Sequence, residues 1–184
     1  MISSNINLLL IICLFSTIAS STGEMDKICP GSPARRHASC QMIVTFPESP
    51  CSAVQSEISS RLTSTTWIDP HNQGVYTQLE SSYSENGAIL IKAKRLTGDK
   101  KYTDLFNFLL EDSPGSSSCI VRACSESQVF SVLDFSTNYC NLRNLYCNSD
   151  DGCVPIQHNL KYKEEYTNCG QRGIGNCIVS KSDG

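Results

Sequence analysis

The chain has 184 residues, a formal net charge of -3 and 11 cysteines. Charges of both signs are interspersed, and no basic stripe is interleaved with aromatic residues, which argues against nucleic acid as a partner. After the N-terminus no apolar segment is long enough to cross a membrane, so we expect no membrane span.

The N-terminus carries a short apolar run, Leu8 to Ala19, well below the ~20 residues that a membrane-spanning helix needs. Small residues follow the run, as at a signal-peptidase site, although no Lys or Arg precedes it. We predict that residues 1–22 are a signal peptide, cleaved between Ala19 and Gly23. The mature chain is then secreted and extracellular.

Cleavage removes Cys13 and leaves an even number of cysteines. An even set in a secreted chain indicates a disulfide framework of up to about five bridges. Parity leaves no spare thiol for a nucleophile, and the Cys spacings are wider than those of zinc sites, so we predict neither metal nor cofactor. The predicted half-cystines are Cys29, Cys40, Cys51, Cys119, Cys124, Cys140, Cys147, Cys153, Cys169 and Cys177.

The cysteines divide the predicted single domain, residues 23–184, into three parts. Residues 23–51 form a lead segment whose prolines predict irregular structure. Residues 52–118 contain no cysteine and must be held together by ordinary packing. Residues 119–177 are rich in cysteine. About 160 mature residues are enough to bury roughly 70% of the unfolded surface.

The first predicted regular element is a short helix from about Pro50 to Leu62, capped by Ser49. Its apolar residues Val54, Ile58 and Leu62 are spaced four apart and share one face. The alternation of apolar residues then predicts strands over Val75–Leu79 and Ala88–Leu96. In the second of these, Ile89, Ile91 and Ala93 lie on one face and the lysines on the other.

Residues Thr103–Leu110 fit either a strand, with Phe106 and Phe108 on one face, or a helix. We favour the strand, because residues 114–117 are typical of a hairpin loop leading into a strand over 119–123. Residues 128–135 are a further strand or an extended arm, and 141–146 about one helical turn. We therefore predict an α+β fold: a short N-terminal helix packed on an antiparallel sheet, with a disulfide-rich C-terminal section.

Asp69 and His71 are the pair of neighbouring residues in the sequence that best fits a catalytic site. A carboxylate that orients an imidazole is an arrangement used in general-base catalysis. Asp-Pro and Asn-x-Gly sequences surround the pair, however, and favour a turn in which Asp69 binds nearby backbone amides. We favour the turn. Between Cys147 and Cys153, Asp150 and Asp151 offer calcium-type ligands, but their spacing matches no calcium loop, and a tight turn is favoured again.

Aromatic residues concentrate around the C-terminal cysteines and suit either a binding surface or a local core. They are Phe130, Phe135, Tyr139, Tyr146, Tyr162 and Tyr166. We predict a secreted, non-enzymatic binding or matrix module with an extracellular protein, glycan or matrix partner. The alternatives are a secreted hydrolase with its site near Asp69 and His71, and a carrier of a small apolar ligand near Phe106 and Phe108.

Overall fold

A computed structural model describes residues 28–178, so the predicted signal peptide, residues 1–22, lies outside the described part. The strands are β1 (Ser39–Phe46), β2 (Val75–Tyr83), β3 (Ile89–Leu96), β4 (Thr103–Asp112), β5 (Cys119–Ser127) and β6 (Lys163–Cys169). They form one antiparallel sheet in the order β2-β3-β4-β5-β1-β6. The helices are α1 (Cys51–Thr63), α2 (Thr137–Arg143) and α3 (Ile174–Cys177). The molecule is thus mostly antiparallel sheet with few helices, which fits an α+β fold.

Strand β1 lies inside the sheet, between β5 and β6. The prediction of irregular structure in the lead segment is therefore wrong for Ser39–Phe46. Residues Cys40, Met42, Val44 and Phe46 are fully buried and alternate with partly exposed neighbours, the pattern of a strand covered on one face. Because β1 precedes α1, the helix is not the N-terminal element of the fold.

Helix α1 covers one face of the sheet with the apolar residues that the sequence predicts. Val54, Ile58 and Leu62 are buried in the main core. The predicted cap is wrong: the helix starts one residue later, Pro50 takes the N-cap position, and no side chain caps it. The first backbone amide, that of Cys51, donates instead to the Asp112 carboxylate at 2.9 Å.

The central strands follow the predicted alternation. In β3, Ile89, Ile91 and Ala93 are buried, and β4 is a strand rather than a helix. Phe106 and Phe108 are fully buried in the core beneath α1, with their ring centroids 6.0 Å apart. Neither residue lines the cavity described below, and the carrier alternative near these rings stays a prediction.

The C-terminal part departs more from the prediction. Residues 128–135 contain no helix or strand, which corresponds to the extended-arm alternative. Helix α2 begins four residues earlier than the predicted turn, and β6 was not predicted. Strand β6 is a mostly exposed edge strand of polar residues, so it lacks the apolar alternation by which strands are recognised.

Five disulfides join the described cysteines, and four of the five link distant parts of the chain. Cys29–Cys124 fixes residues 28–38 against the sheet face opposite α1, and Cys51–Cys119 fixes the start of α1 to β5. The other three pairs are Cys40–Cys169, Cys140–Cys177 and Cys147–Cys153.

Candidate functional site

Asp69 and His71 are both buried, and each side chain is bound to other groups of the described fold rather than to the other. The Asp69 carboxylate accepts the backbone amides of His71 and Gly74, each at 3.1 Å, and these are the contacts of the turn that the sequence favours. The same carboxylate pairs with the buried Arg95 guanidinium at 2.7 Å. Asp69 therefore fixes the 69–74 loop to strand β3.

The His71 ring is likewise used within the fold. Its Nδ1 lies 2.6 Å from the carbonyl oxygen of Asn176, so that nitrogen carries a proton and donates. Its Nε2 lies 3.1 Å from the hydroxyl of Thr137, at the start of α2. The ring thus joins the 69–74 loop to α2 and to the C-terminal segment.

A row of polar side chains crosses four strands at one end of the face that α1 covers. The sheet register places Tyr76, Arg95, Asp104 and Ser127 side by side on β2, β3, β4 and β5. Arg95 is fully buried, and Asp104 is only 2% exposed. Burial raises the pKa of Tyr76 well above its ordinary value, so its hydroxyl stays protonated. The apolar core therefore gives way to a polar layer at this end.

Helix α2 packs against this polar row through three fully buried asparagines, Asn138, Asn141 and Asn144. Spaced three apart, they share one face of the helix. Asn141 donates to the Asp104 carboxylate at 2.9 Å, and Asn144 donates to that of Asp69 at 3.1 Å. The amides therefore link the helix to both buried carboxylates.

Two glycines allow the loops around the polar row to approach one another. A β-carbon on Gly74 would overlap the Arg95 guanidinium, and one on Gly98 would overlap the carbonyl oxygen of Asn72. Any larger residue at these positions would push the 69–74 loop away from β3 or from the β3–β4 turn.

A cavity of about 590 Å³ opens directly above the polar row. Asp104, Ser127 and Thr137 contribute to its lining, together with residues of the β3–β4 turn. Every residue from 129 to 135 also lines it. We call residues 128–135 the arm and this space the arm cavity. Its volume lies within the ~300–1,000 Å³ typical of ligand sites.

The arm presents apolar side chains to solvent. Its exposed apolar residues are Val129, Phe130, Val132, Leu133 and Phe135, with exposed fractions from 36% to 71%. Contiguous exposed apolar residues on a folded protein mark interaction surfaces more often than isolated ones do. The arm therefore differs from single exposed residues such as Ile68 and Val154.

The arm backbone is nevertheless held in place along its length. At its start, the amide of Gln128 donates to the carbonyl of Thr103 at 3.0 Å. In the middle, the amide of Ser131 donates to the carbonyl of Arg36 at 3.2 Å, and its hydroxyl accepts the amide of Ala38 at 2.8 Å. At its end, the amides of Asp134 and Phe135 donate to the side chain of Gln171 at 2.8 and 2.7 Å. The apolar side chains are thus exposed on a fixed backbone.

Backbone strain is concentrated around the same cavity. In residues 28–178, the non-glycine residues with positive φ are Asn72, Gln73, Lys100, Phe135 and Ser136. They belong to three loops that border the arm cavity: 69–74, 97–102 and the end of the arm. Such conformations are unfavourable and cluster at binding and active sites.

In comparisons with known proteins, no family model, curated protein or solved structure matched this chain. Within residues 28–178, no helix is both long and apolar enough to cross a membrane.

Of the two carboxylates in the acidic loop, Asp151 is bound within the fold. It pairs with Arg143 at 2.9 Å and accepts the Tyr162 hydroxyl at 2.6 Å, whereas Asp150 is exposed. Elsewhere, Cys29, Cys124 and Glu126 lie close enough to hold a metal ion. Both cysteines belong to one disulfide, however, and cannot supply thiolate ligands.

The aromatic residues near the C-terminal cysteines divide into two groups. Tyr139 and Tyr146 are buried, and both hydroxyls donate to the Glu164 carboxylate at 3.0 Å. Burial and the nearby charge of Glu164 raise the pKa of Tyr139 to about 12. Phe130 and Phe135, by contrast, are about 70% exposed on the arm. The local-core interpretation is therefore confirmed for Tyr139 and Tyr146, whereas a binding surface stays a prediction for Phe130 and Phe135.

Proposed function

We propose that this protein is a secreted, non-enzymatic binding module that binds a partner through the arm and the arm cavity. The observation that carries this proposal is the contrast within the arm: five of its residues expose apolar side chains, while its backbone is hydrogen-bonded at the start, middle and end. A loop whose backbone is already fixed loses less conformational entropy when a partner binds, so binding is stronger.

The disulfides support an extracellular setting. Five bridges among the described residues are typical of chains that fold in an oxidising compartment, and they fit the predicted signal peptide. The Cys29–Cys124 bridge also holds residues 28–38, which contribute the amide of Ala38 to the arm. The framework thus supports the binding surface itself.

The partner that fits best is a protein segment. Pockets for small molecules typically enclose ~70–90% of the ligand surface. Here Phe130, Val132, Leu133 and Phe135 remain more than 60% exposed at the rim of the cavity, a surface that extends beyond a small ligand. Side chains of Val, Leu and Phe also match the apolar side chains of a polypeptide better than the hydroxyls of a glycan.

A non-enzymatic role agrees with the hydrogen bonds of Asp69 and His71. Asp69 is bound to Arg95 and to turn amides, and the His71 ring binds Asn176 and Thr137. A general base must reach a proton of its substrate, whereas these groups satisfy one another inside the fold.

The arm is tested by NMR titration of the ¹⁵N-labelled protein with 2-phenylethanol, a neutral aromatic probe. We expect saturable shift changes of amides in the arm and around the arm cavity, with a weak, millimolar Kd. The double variant Phe130→Ser/Leu133→Ser should lose this binding, because it removes apolar side chains without touching the arm's hydrogen bonds.

Ile68→Ser is the matched control, since Ile68 is as exposed as Phe130, at 70%, but lies outside the arm. This variant should bind 2-phenylethanol like the unmodified protein. The proposal fails if no saturable binding occurs, or if shifts are equally large near Ile68 and Val154. Arm-dependent binding to phosphatidylcholine vesicles would point to a membrane as the partner instead of a protein.

A further inference from the structure

We infer that the arm cavity receives a basic side chain, a lysine or arginine, that a partner protein presents next to an apolar residue. This inference rests on the proposed function and names the type of partner side chain that the cavity binds. Its basis is the Asp104 carboxylate, which lines the cavity while it is only 2% exposed.

Asp104 has hydrogen bonds but no ion-pair partner among the described residues. Its oxygens accept the hydroxyl of Ser127 at 2.8 Å and the amide of Asn141 at 2.9 Å, both neutral groups. The nearest cation in the sheet register is Arg95, whose guanidinium forms its close ion pair with Asp69 and acts on Asp104 only at longer range. A buried carboxylate is stabilised by a cation at close range, and Asp104 borders the cavity, from which such a cation can approach.

The rest of the lining has the same charge preference. Asp99 and Asp134 also line the cavity, and among residues 28–178 no Lys, Arg or His belongs to the lining. The Asp134 carboxylate is bound to backbone and side-chain amides of α2, and that of Asp99 lies 3.5 Å from Lys101. An anionic group entering the cavity would meet three carboxylates, whereas a cation would be attracted by all of them.

The walls of the cavity suit the remainder of such a side chain. Tyr102 and Phe130 both belong to the lining and are partly exposed, so their rings are accessible to a ligand. Aromatic faces attract ammonium and guanidinium groups, and apolar walls pack against the methylenes of Lys and Arg. The cavity thus combines an apolar entrance with an anionic floor.

The test uses three blocked tripeptides, acetyl-Phe-X-Leu-amide, in which X is arginine, citrulline or glutamate. Citrulline has nearly the shape of arginine but no charge. We expect the arginine peptide to bind about tenfold more tightly than the citrulline peptide, as a charge-assisted hydrogen bond replaces a neutral one. The glutamate peptide should bind most weakly. NMR shift mapping should place the arginine peptide at the amides of Asp104 and Ser127.

Asp104→Asn should remove the preference for arginine over citrulline and leave the affinity for the citrulline peptide within about twofold of its original value. Asp150→Asn makes the same change of charge at an exposed residue of the 147–153 loop and should leave the preference intact. If Asp104→Asn does not fold, the peptide series on the unmodified protein still decides the question, since its ranking needs no variant.

The outcomes separate this inference from the proposed function. Equal affinity for all three peptides at the arm cavity would overturn the basic-side-chain inference and leave the binding module standing. Tighter binding of the glutamate peptide would also overturn it. Failure of every peptide and of 2-phenylethanol would remove the proposed function itself.

Discussion

His37 provides a pH-dependent contact at the residue scale. Burial by itself would lower the pKa of this imidazole, but the carbonyl of Ala34 and the carboxylate of Glu126 raise it overall. Glu126 lies 3.1 Å from the ring and also accepts the amide of Gly31. The charged imidazole therefore helps to fix residues 28–38 against β5.

Because the folded-state pKa of His37 is raised, its stabilisation is fully present below its ordinary pKa of 6.5. It is lost as the pH rises through the folded-state value. His37→Gln should lower the free energy of unfolding by up to about 1 kcal/mol near pH 5.5, and the difference should shrink by pH 8.5. Urea unfolding across this range measures the effect. The exposed His158→Gln is the control, and a difference that grows with pH would contradict the assignment.

Asp69 and Asp104 differ in how far their contacts follow from the sequence. The Asp69 turn was predictable, because Asp-Pro and Asn-x-Gly constrain the backbone within a few residues. The role of Asp104 was not, because its burial depends on Ser127 and Asn141, which come from other elements. Sequence patterns report local preference, whereas the burial of a polar group is decided by tertiary packing.

At the scale of elements, alternation of apolar residues predicts a strand wherever one face is buried. This alternation correctly predicted strands β3 and β4. The alternation of Cys40, Met42, Val44 and Phe46 in β1 carries the same signal, but the nearby prolines led to an irregular prediction. Strand β6 could not be found in this way, because it is a polar edge strand with no buried apolar face.

The β3–β4 turn holds Lys100 at a φ of 61°, a conformation that favours glycine. Lys100→Gly should therefore be neutral or should stabilise the fold by up to about 1 kcal/mol, because strain is relieved. Lys101→Gly, one residue further along the exposed turn, should destabilise the fold, because it increases the entropy of the unfolded chain and removes the exposed ion pair with Asp99. Equilibrium unfolding of both variants measures the two changes. Equal destabilisation would show that Lys100 is not strained.

On the scale of the whole molecule, the disulfides differ greatly in the length of chain that they close. Cys40–Cys169 joins β1 to β6 across a separation of 129 residues, whereas Cys147–Cys153 spans 6. Only the even cysteine count was predictable from the sequence, because pairing depends on the sheet order. Cys29–Cys124 ties the start of the described chain to the sheet, and Cys140–Cys177 ties its end to α2.

In the chain-entropy account, a bridge stabilises the fold by restricting the unfolded state. Replacing both Cys40 and Cys169 by Ser should lower the free energy of unfolding by about 5 kcal/mol. The corresponding change at Cys147 and Cys153 should cost about 2 kcal/mol. Denaturant unfolding of the two double variants compares them directly. A larger loss for the 147–153 pair would mean that local packing around that loop outweighs chain entropy.

The central claim, that the arm and the arm cavity form the binding site, is tested most directly by an unbiased selection. Random peptides displayed on phage are selected on the unmodified protein, and the enriched peptides are measured against Phe130→Ser/Leu133→Ser and Ile68→Ser. We predict that apolar peptides containing Lys or Arg dominate, lose at least about tenfold in affinity for the arm variant and keep their affinity for Ile68→Ser. Enriched peptides that bind the arm variant as tightly as the unmodified protein would contradict the claim.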